Sequence, residues 1–578
     1  MGNLRLTTAL VATLLSGCGG SDDDSDGGGA DGTGTAGSGG IATVGGADSD
    51  SGDETGPVGA CQGSTNEPPA APTVVLPAVP SNGIVAVENG LALSASPFVD
   101  PNAHGHGASN FEIWEMSDGE GAERVWSATS EFGDLTGTTL ASGTYDDPQA
   151  TSLELWEAYG IRVRYQDDDS CALWSDWSEW HELRSDDGSE MLFDATQIHD
   201  VYITIPDESW GPINDEARPP GCVPFERSYY KGAARFDDTV FNLNVGVRSK
   251  GGCGSARYLD SKTAFKVNLQ WDDPDLLDCP PDQRLFGQKK LTLNNMVQDP
   301  SYTREMLSYP FYEAMGIAVP RLAYVRVHVN DEYWGLYLHI ESISRRFLRR
   351  WYDDNDGVLY EGTYGCDQRT DLVPPTGAQW ECFDQKFQPD ECDNPDFVPV
   401  LDHSDLLTLT TAMDAMPEGQ FYPAIEQYVD FDRFLRLWAA DNVLNNWDGM
   451  VAAANNYRIY RDPSTGLWTP IPSGVDQNFE NTNTQSGFNY GTRMAQRCVQ
   501  EPMCEAAFAE QLQVALAVFE SQPFQAQVAE VSALISDLAL KDPRSNSQGQ
   551  FFDQQESLLQ WIENRPVEVQ GFLTNAGY

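Results

Sequence analysis

Hydrophobic and polar residues change rhythm several times along this chain. A short basic start, MGNLR, runs into the apolar stretch LTTALVATLL and then LSGC. Residues 19–65 carry Gly, Ser, Asp and Thr with almost no large apolar group, so they have too little to bury and predict a flexible stalk. Residues 66–188 alternate with period two in short runs, FEIWEM, RVWSAT and YGIRVRYQD, which predicts a small β-sandwich. From 197 the pattern mixes. VYITIP, FNLNVGVRS, AFKVNLQW and KKLTLNN read as strands, and AYVRVHVNDEYWGLYLHIES reads as a hairpin turning at Asn330–Asp331. Ser301–Met315 reads as a helix with Ser301 at its N-cap, 343–352 as a short basic helix, and GVLYEG as a further strand. Helical spacing then dominates at 403–416 and 423–447 and in three segments from 503 to 578. Strands first and helices after predict a multidomain chain: an all-β sandwich, then an α+β unit of two lobes over 197–578.

Composition narrows the partners. The chain has 578 residues and is 40% hydrophobic, enough for more than one core. It carries 88 Asp and Glu against 35 Lys and Arg, a formal net charge of -53. Such a surface repels phosphate backbones, so no nucleic-acid partner is expected. Residues 1–18 have the layout of an export signal too short to span a bilayer, and Leu15-Ser16-Gly17-Cys18 looks like a bacterial lipobox. Cys18 is therefore the expected lipidation site, anchoring the protein to a membrane of the bacterial cell envelope, periplasmic or at the surface. Eleven cysteines less Cys18 leave an even number in an exported chain, which predicts disulfides. Cys498 and Cys504 are close enough to pair locally. Cys61 and Cys171 are placed to bracket the sandwich. No Cys/His spacing suggests zinc.

Within the sandwich region, Arg162 and Arg164 alternate on one strand, and a WSDWS sequence, Trp174–Ser178, follows. This combination resembles a fibronectin type III domain, in which Trp rings and Arg side chains stack in a ladder. His104 and His106, in DPNAHGHG, are candidate metal ligands or members of a polar loop.

In the second unit the ordered segments are GVRSKGGCGSARYLDSKTAFKVNLQW, LFGQKKLTLNNMVQDPSYTREMLSYPFYEAMGI, VRVHVNDEYWGLYLHIESISRRFL, VLYEG, NNWDGMVAAANNYRIY and a W-x-P-I-P…D-x-x-F stretch. Together they resemble the spore coat protein H (CotH) kinase family over about 200–575. The resemblance implies an atypical kinase-like fold that transfers phosphate from ATP to Ser residues of a protein substrate, with Mg²⁺ or Mn²⁺. The residues are of the kinds that chemistry needs: oxygen ligands for a hard cation, a basic group for phosphates, and an acid beside the incoming hydroxyl. Asp448 is the candidate for orienting or deprotonating the hydroxyl. Asn456, with Asn455 as second choice, and Asp476 are the candidate metal ligands. Lys266, alternating with Phe265 and Val267, is the candidate phosphate contact, with Lys262 as its rival. Glu305 is a candidate partner for that lysine. Gly251 and Gly252, in GGCGS, are placed to cover a phosphate chain. Arg248, Asn295 and Arg304 look like further family positions, for ligand contacts or structural hydrogen bonds.

Each feature also has a plainer reading. Asp448 precedes Gly449 and Asp476 follows Gly474 by two, as turn residues do. Glu305 suits a first helical turn, where the macrodipole favours an acid. The stretch before Asp476 is PSGV, where the family shows a Trp-Asp pair in PWDxD, so one of that motif's two acids is absent. A kinase-like surface lipoprotein without catalysis, binding or structural in role, is accordingly the alternative to an exported Ser kinase. No GxSxG or HExxH points to a hydrolase.

Overall fold

Alternation in the N-terminal region becomes two sheets over one core, antiparallel throughout except where β2 pairs parallel to β9. The computed structural model describes residues 65–578, except 79–83, 88–90, 118–119, 156, 219–224, 226, 253, 272–282, 353, 363–369, 375–382, 386–402, 481–487 and 489. Cys18, the signal segment and all but the last residue of the expected stalk lie outside the described residues, as do Cys61 and Cys253. One sheet holds β1 (Val74–Leu76), β3 (Ala92–Ala95) and β6 (Gly137–Thr139). The other runs β2-β9-β8-β4-β5-β7, from β2 (Ile84–Ala86), β4 (His106–Ser117), β5 (Glu120–Ser130), β7 (Thr144–Tyr145), β8 (Ala158–Asp167) and β9 (His181–Asp186). Leu93, Phe111, Trp126, Ile161 and Tyr165 fill the space between them. On the outer face of β8, Arg162 stacks on Trp177 at 4.3 Å and Arg164 on Trp174 at 4.7 Å. Glu112 receives the Arg162 Nε–H at 2.9 Å, so the cation is satisfied on both sides. Cys171 is disulfide-bonded, and Cys498 is bonded to Cys504 as their spacing suggests.

The strands after residue 197 close on themselves. The order is β10 (Ile198–Thr204), β11 (Tyr230–Phe236), β12 (Asn242–Lys250), β13 (Ala264–Asn268), β14 (Lys290–Asn294), β16 (Glu332–Ile340) and β15 (Leu322–Val329), with β15 pairing parallel to β10. Apolar residues alternate inward: Val245, Val247, Phe265, Val267, Leu291, Leu293 and Val325 pack one core with Trp334. Their neighbours face out, so Arg248, Lys266 and Thr292 stand opposite one another on adjacent strands. Asn330 and Asp331 both have positive φ, as the two-residue hairpin between β15 and β16 requires. A short helix after β10, α1 (Asp207–Glu216), and strand β11 were not foreseen; Gly and Ala in YKGAARF dilute the strand's apolar alternation.

The helix α2 (Arg304–Ala314) has its N-cap at Thr303, two residues later than the N-cap expected at Ser301. Asp299 explains the shift, because its carboxylate accepts the backbone N–H of Ser301 and of Arg304 and so holds 299–303 as a turn. The basic helix is short, α3 (Arg345–Arg349). A small sheet, β18-β17-β19-β20, is built from β17 (Val358–Gly362), β18 (Phe383–Gln385), β19 (Tyr457–Arg461) and β20 (Trp468–Pro472). The helical stretch expected over 423–447 divides into α5 (Phe421–Ile425) and α6 (Phe431–Leu444), after α4 (Ser404–Ala415) and before α7 (Met450–Ala453). Asp430 caps α6 by accepting the Arg433 N–H. Then come α8 (Arg493–Val499), α9 (Pro502–Ser521), α10 (Phe524–Lys541) and α11 (Phe551–Ala576). Trp438, Phe434, Leu512, Phe508 and Ile535 anchor the core they share with α2. Among the described residues no helix is long and apolar enough to cross a membrane.

Candidate functional site

The outward polar face of the closed sheet looks onto the start of the helical half, and a cavity of about 680 Å³ separates them. One wall comes from the strands: Arg248 and Lys250 of β12, Lys266 of β13, Lys290, Thr292 and Asn294 of β14. Gly251, Gly252, Gly254 and Ser255 line its edge. Gly251 has φ of +119°, and its carbonyl accepts from Arg227 at 2.7 Å, which folds the loop back over the sheet. The other wall comes from Asp448, Asn455, Asn456, Asp476 and Gln477.

Local geometry explains why those last residues meet. Asn445 ends α6 with a left-handed φ of +54°, turning the chain so that Asp448 lies at the mouth of the cavity. Asn456 and Ser473 flank the open end of the β19/β20 hairpin, where the Ser473 N–H donates to the Asn456 carbonyl at 3.0 Å. Asp476 follows three residues on. Asn456 Nδ2 donates to Asp448 Oδ2 at 2.9 Å and Asn455 Nδ2 to Asp448 Oδ1 at 3.1 Å. With its Nδ2 so engaged, Asn456 has Oδ1 left to offer a cation.

Electrostatics separate the acids. Burial raises the Asp448 carboxyl, against the lowering pull of the two asparagine amides. Asp476 is 9% exposed, and burial pushes it up to about 6; Lys250 opposes this, while Asp299 and Asp448 add to it. Glu305, in the first turn of α2 and 3% exposed, is pushed up to about 8 by burial and then by the charge of Asp476. Asn294 Nδ2 reaches Glu305 Oε2 at 2.7 Å, but Oε1 is buried with no hydrogen-bond partner among the described residues. The cation that opposes the shift at both acids is Lys250, a residue the motifs did not single out. Asp476, Glu305 with its orphaned Oε1, and Asn456 with its amide oxygen line one cavity as hard oxygen donors. That set fits Mg²⁺ or Mn²⁺.

Three other candidates serve the scaffold. Lys262 does not reach the cavity: its Nζ is buried 2.6 Å from Asp542 Oδ2, beyond α10, and lies over the Tyr302 ring at 4.7 Å. The expectation that it contacts phosphate is corrected accordingly: β13 begins at Ala264, so Lys262 lies in the turn before the strand, outside its alternation, and the buried Asp542 carboxylate draws its ammonium away from the face that carries Lys266. Asn295 Nδ2 donates to the carbonyls of Ser255 and Lys262, pinning the glycine loop. Arg304 pairs with Glu480, which also accepts from Trp447 Nε1. Behind the cavity lies a buried network that sequence alone did not reveal. Tyr312 and Asn446 donate to Asp441, whose carboxyl burial raises to about 7, and Asn478 donates to Ser308. It fixes the loops that carry Asp448 and Asp476.

Gly474 occupies the place of the missing motif acid. Its φ is +59°, and a Cβ there would lie 2.8 Å from Asn456 Oδ1. A side chain at 474 would therefore press on the Asn456 amide oxygen.

Residues 247–569, more than half of the chain, match the family described as CotH kinase protein. The inner spore coat protein H of Bacillus subtilis (strain 168) is 24% identical over 305 residues, covering 50% of this chain and 79% of that protein. Invasin CotH3 of Rhizopus delemar is 23% identical over 210 residues, 33% of this chain and 31% of that protein, so the chain spans about a third of that relative. Among solved structures, the twitchin kinase region from C. elegans overlaps 48% of this chain and 40% of that one at 13% identity, with a TM-score of 0.14, too low to carry an argument about the fold.

Proposed function

The chain belongs to the CotH kinase family, and on that premise we propose that it is an exported atypical protein kinase moving phosphate from Mg-ATP to serine hydroxyls of an envelope or surface protein. One observation carries this reading: cationic strand residues and carboxyls raised by burial line a single cavity. In this reading Lys250, Lys266 and Arg248 bind phosphate oxygens under the Gly251–Gly252 edge. Asn456 Oδ1 and Asp476 hold Mg²⁺ or Mn²⁺, which when bound offsets phosphate charge. Asp448, raised by burial, orients the serine hydroxyl and accepts its proton. Glu305 sets the position of Lys250. The unit over 197–578 is two-lobed and kinase-like, the sandwich over 66–188 is fibronectin type III-like and holds it off the membrane, and Cys18 carries the lipid. A surface location also suits relatives named as a spore coat protein and an invasin.

Transfer of radiolabelled phosphate from ATP to the chain itself or to a Ser-rich acceptor tests the reading. Metal-dependent transfer that Asp476→Ala abolishes supports it. No transfer, and no thermal shift with millimolar ATP and either metal, would reject it. One observation favours a second reading, a kinase-like binding protein without catalysis: Gly474 stands where the motif's first acid is missing, against Asn456. Nucleotide binding without transfer is its signature.

A further inference from the structure

The N-terminal sandwich carries a second constellation, far in sequence from the cavity and unused by the reading above. Asp100 and His104 lie in the loop between β3 and β4, and Asp167 is the last residue of β8. One ligand atom from each lies within 4.8 Å of the other two. Asp100 Oδ1 is 3.7 Å from His104 Nδ1, too far for a hydrogen bond. The Asp100 side chain is 1% exposed. Its Oδ1 accepts the N–H of Asn102 at 2.8 Å and of His104 at 2.9 Å, but its Oδ2 is buried with no hydrogen-bond partner among the described residues. His104 Nδ1 is likewise buried without one. Asp167, also 1% exposed, accepts at Oδ1 from the N–H of Asp169 and Leu173, and at Oδ2 from Asn66 Nδ2 at 2.9 Å. Among the described residues no lysine or arginine forms an ion pair with either carboxylate.

Two buried carboxylates and an unpaired imidazole nitrogen, drawn together without a cation, cost free energy unless something positive sits among them. We propose that Asp100, His104 and Asp167 bind a divalent first-row transition-metal ion of the Zn²⁺ type. Mixed imidazole and carboxylate donors suit such an ion better than Ca²⁺ or Mg²⁺, which take oxygen alone. Bonds of about 2.0–2.2 Å in a tetrahedron set neighbouring ligands about 3.3–3.6 Å apart, and the Asp100–His104 edge is already 3.7 Å. The fourth position is left for water. Bound there, the ion ties the 100–104 loop to the end of β8 and to Asn66, and so clamps the end of the sandwich where the chain enters. The site is independent of phosphoryl transfer.

The full chain carrying Asp476→Asn, which disables the cleft acid, is stripped with chelator and titrated with Zn²⁺ by calorimetry. One tight equivalent is expected, weakened at least about tenfold by adding His104→Gln. His104 is partly exposed, and circular dichroism in chelator checks that the variant folds. In the chain with no substitution, Co²⁺ should give visible absorption of imidazole ligation that His104→Gln removes. Absence of a tight equivalent in Asp476→Asn, or Zn²⁺ affinity and a Co²⁺ spectrum untouched by His104→Gln, overturns the proposal.

Discussion

Glu341 and Glu305 are both glutamates on the wall of the same cavity, both almost wholly buried, and their carboxyls are shifted in opposite directions. Burial alone would raise each. At Glu341 the guanidiniums of Arg321 and Arg350 overcome it: Arg321 Nη2 lies 2.9 Å from Oε1, Arg350 pairs with Oε2, and the carboxyl is held down at about 2. At Glu305 no guanidinium pairs with the carboxyl among the described residues; burial, with the charge of Asp476, outweighs the pull of Lys250, and the group rises to about 8. Two guanidiniums offset burial at Glu341, whereas at Glu305 and Asp476 burial outweighs the pull of Lys250. Carboxyls shifted in opposite directions within one cavity are a feature of functional sites.

The largest effect tests an acid that burial raises. Asp448→Asn should lower phosphate transfer by about 10²–10⁴-fold, the contribution of a positioned base, while ATP binding by calorimetry stays within a few-fold. Undiminished transfer would remove Asp448 from the mechanism. Next comes the contrast itself. Glu341→Gln leaves Arg321 and Arg350 buried and should cost about 3–5 kcal/mol in urea unfolding. Glu305→Gln, which removes a charge that burial already disfavours, should leave stability unchanged or higher and lose metal-dependent transfer. Equal destabilisation by both would erase the distinction.

Proton linkage gives a smaller effect of definite sign. Asp476 and Glu305 bind protons more tightly in the folded state than at the ordinary carboxyl values of 3.8 and 4.5. Their contribution to stability is present below those values and is lost as pH rises through about 6 and about 8. Glu341 runs the other way: its contribution is present above 4.5 and is lost as pH falls toward about 2. Mg²⁺ competes with protons at the first pair, so the Mg²⁺-dependent rise in Tm should be larger at pH 8 than at pH 6. A rise independent of pH would place the ion elsewhere. The smallest effect is at Gly474, where Gly474→Ala should cost about 1–2 kcal/mol from its left-handed backbone and weaken Mg²⁺ by crowding Asn456.

Legibility followed the range of the interactions. Period-two and helical spacing marked most strands and helices near their observed bounds, because which face is apolar is a local property. Asp448, Asn456, Asp476, Lys266 and Glu305 were identifiable because ordered motifs pointed to them, and the cavity gathers them. Lys250 was missed although it lies two residues from Arg248 on the same strand face. Lys262 looked like an equal rival to Lys266 because sequence does not show Asp542, 280 positions away, waiting to bury it. The split between α5 and α6 and the delayed start of α2 depended on single side chains, Asp430 and Asp299, whose capping bonds exist only in place.

The amino-acid order alone determined the alternation of strands before helices, the Arg and Trp positions of the sandwich ladder, and a formal net charge of -53, since these depend on neighbours or on sums. Tertiary structure decided which carboxylates remain protonated, which lysine faces the cavity and which asparagine oxygen is left open. Those outcomes depend on burial and on the distance between charges brought together from opposite ends of the chain, and neither quantity exists until the chain has folded.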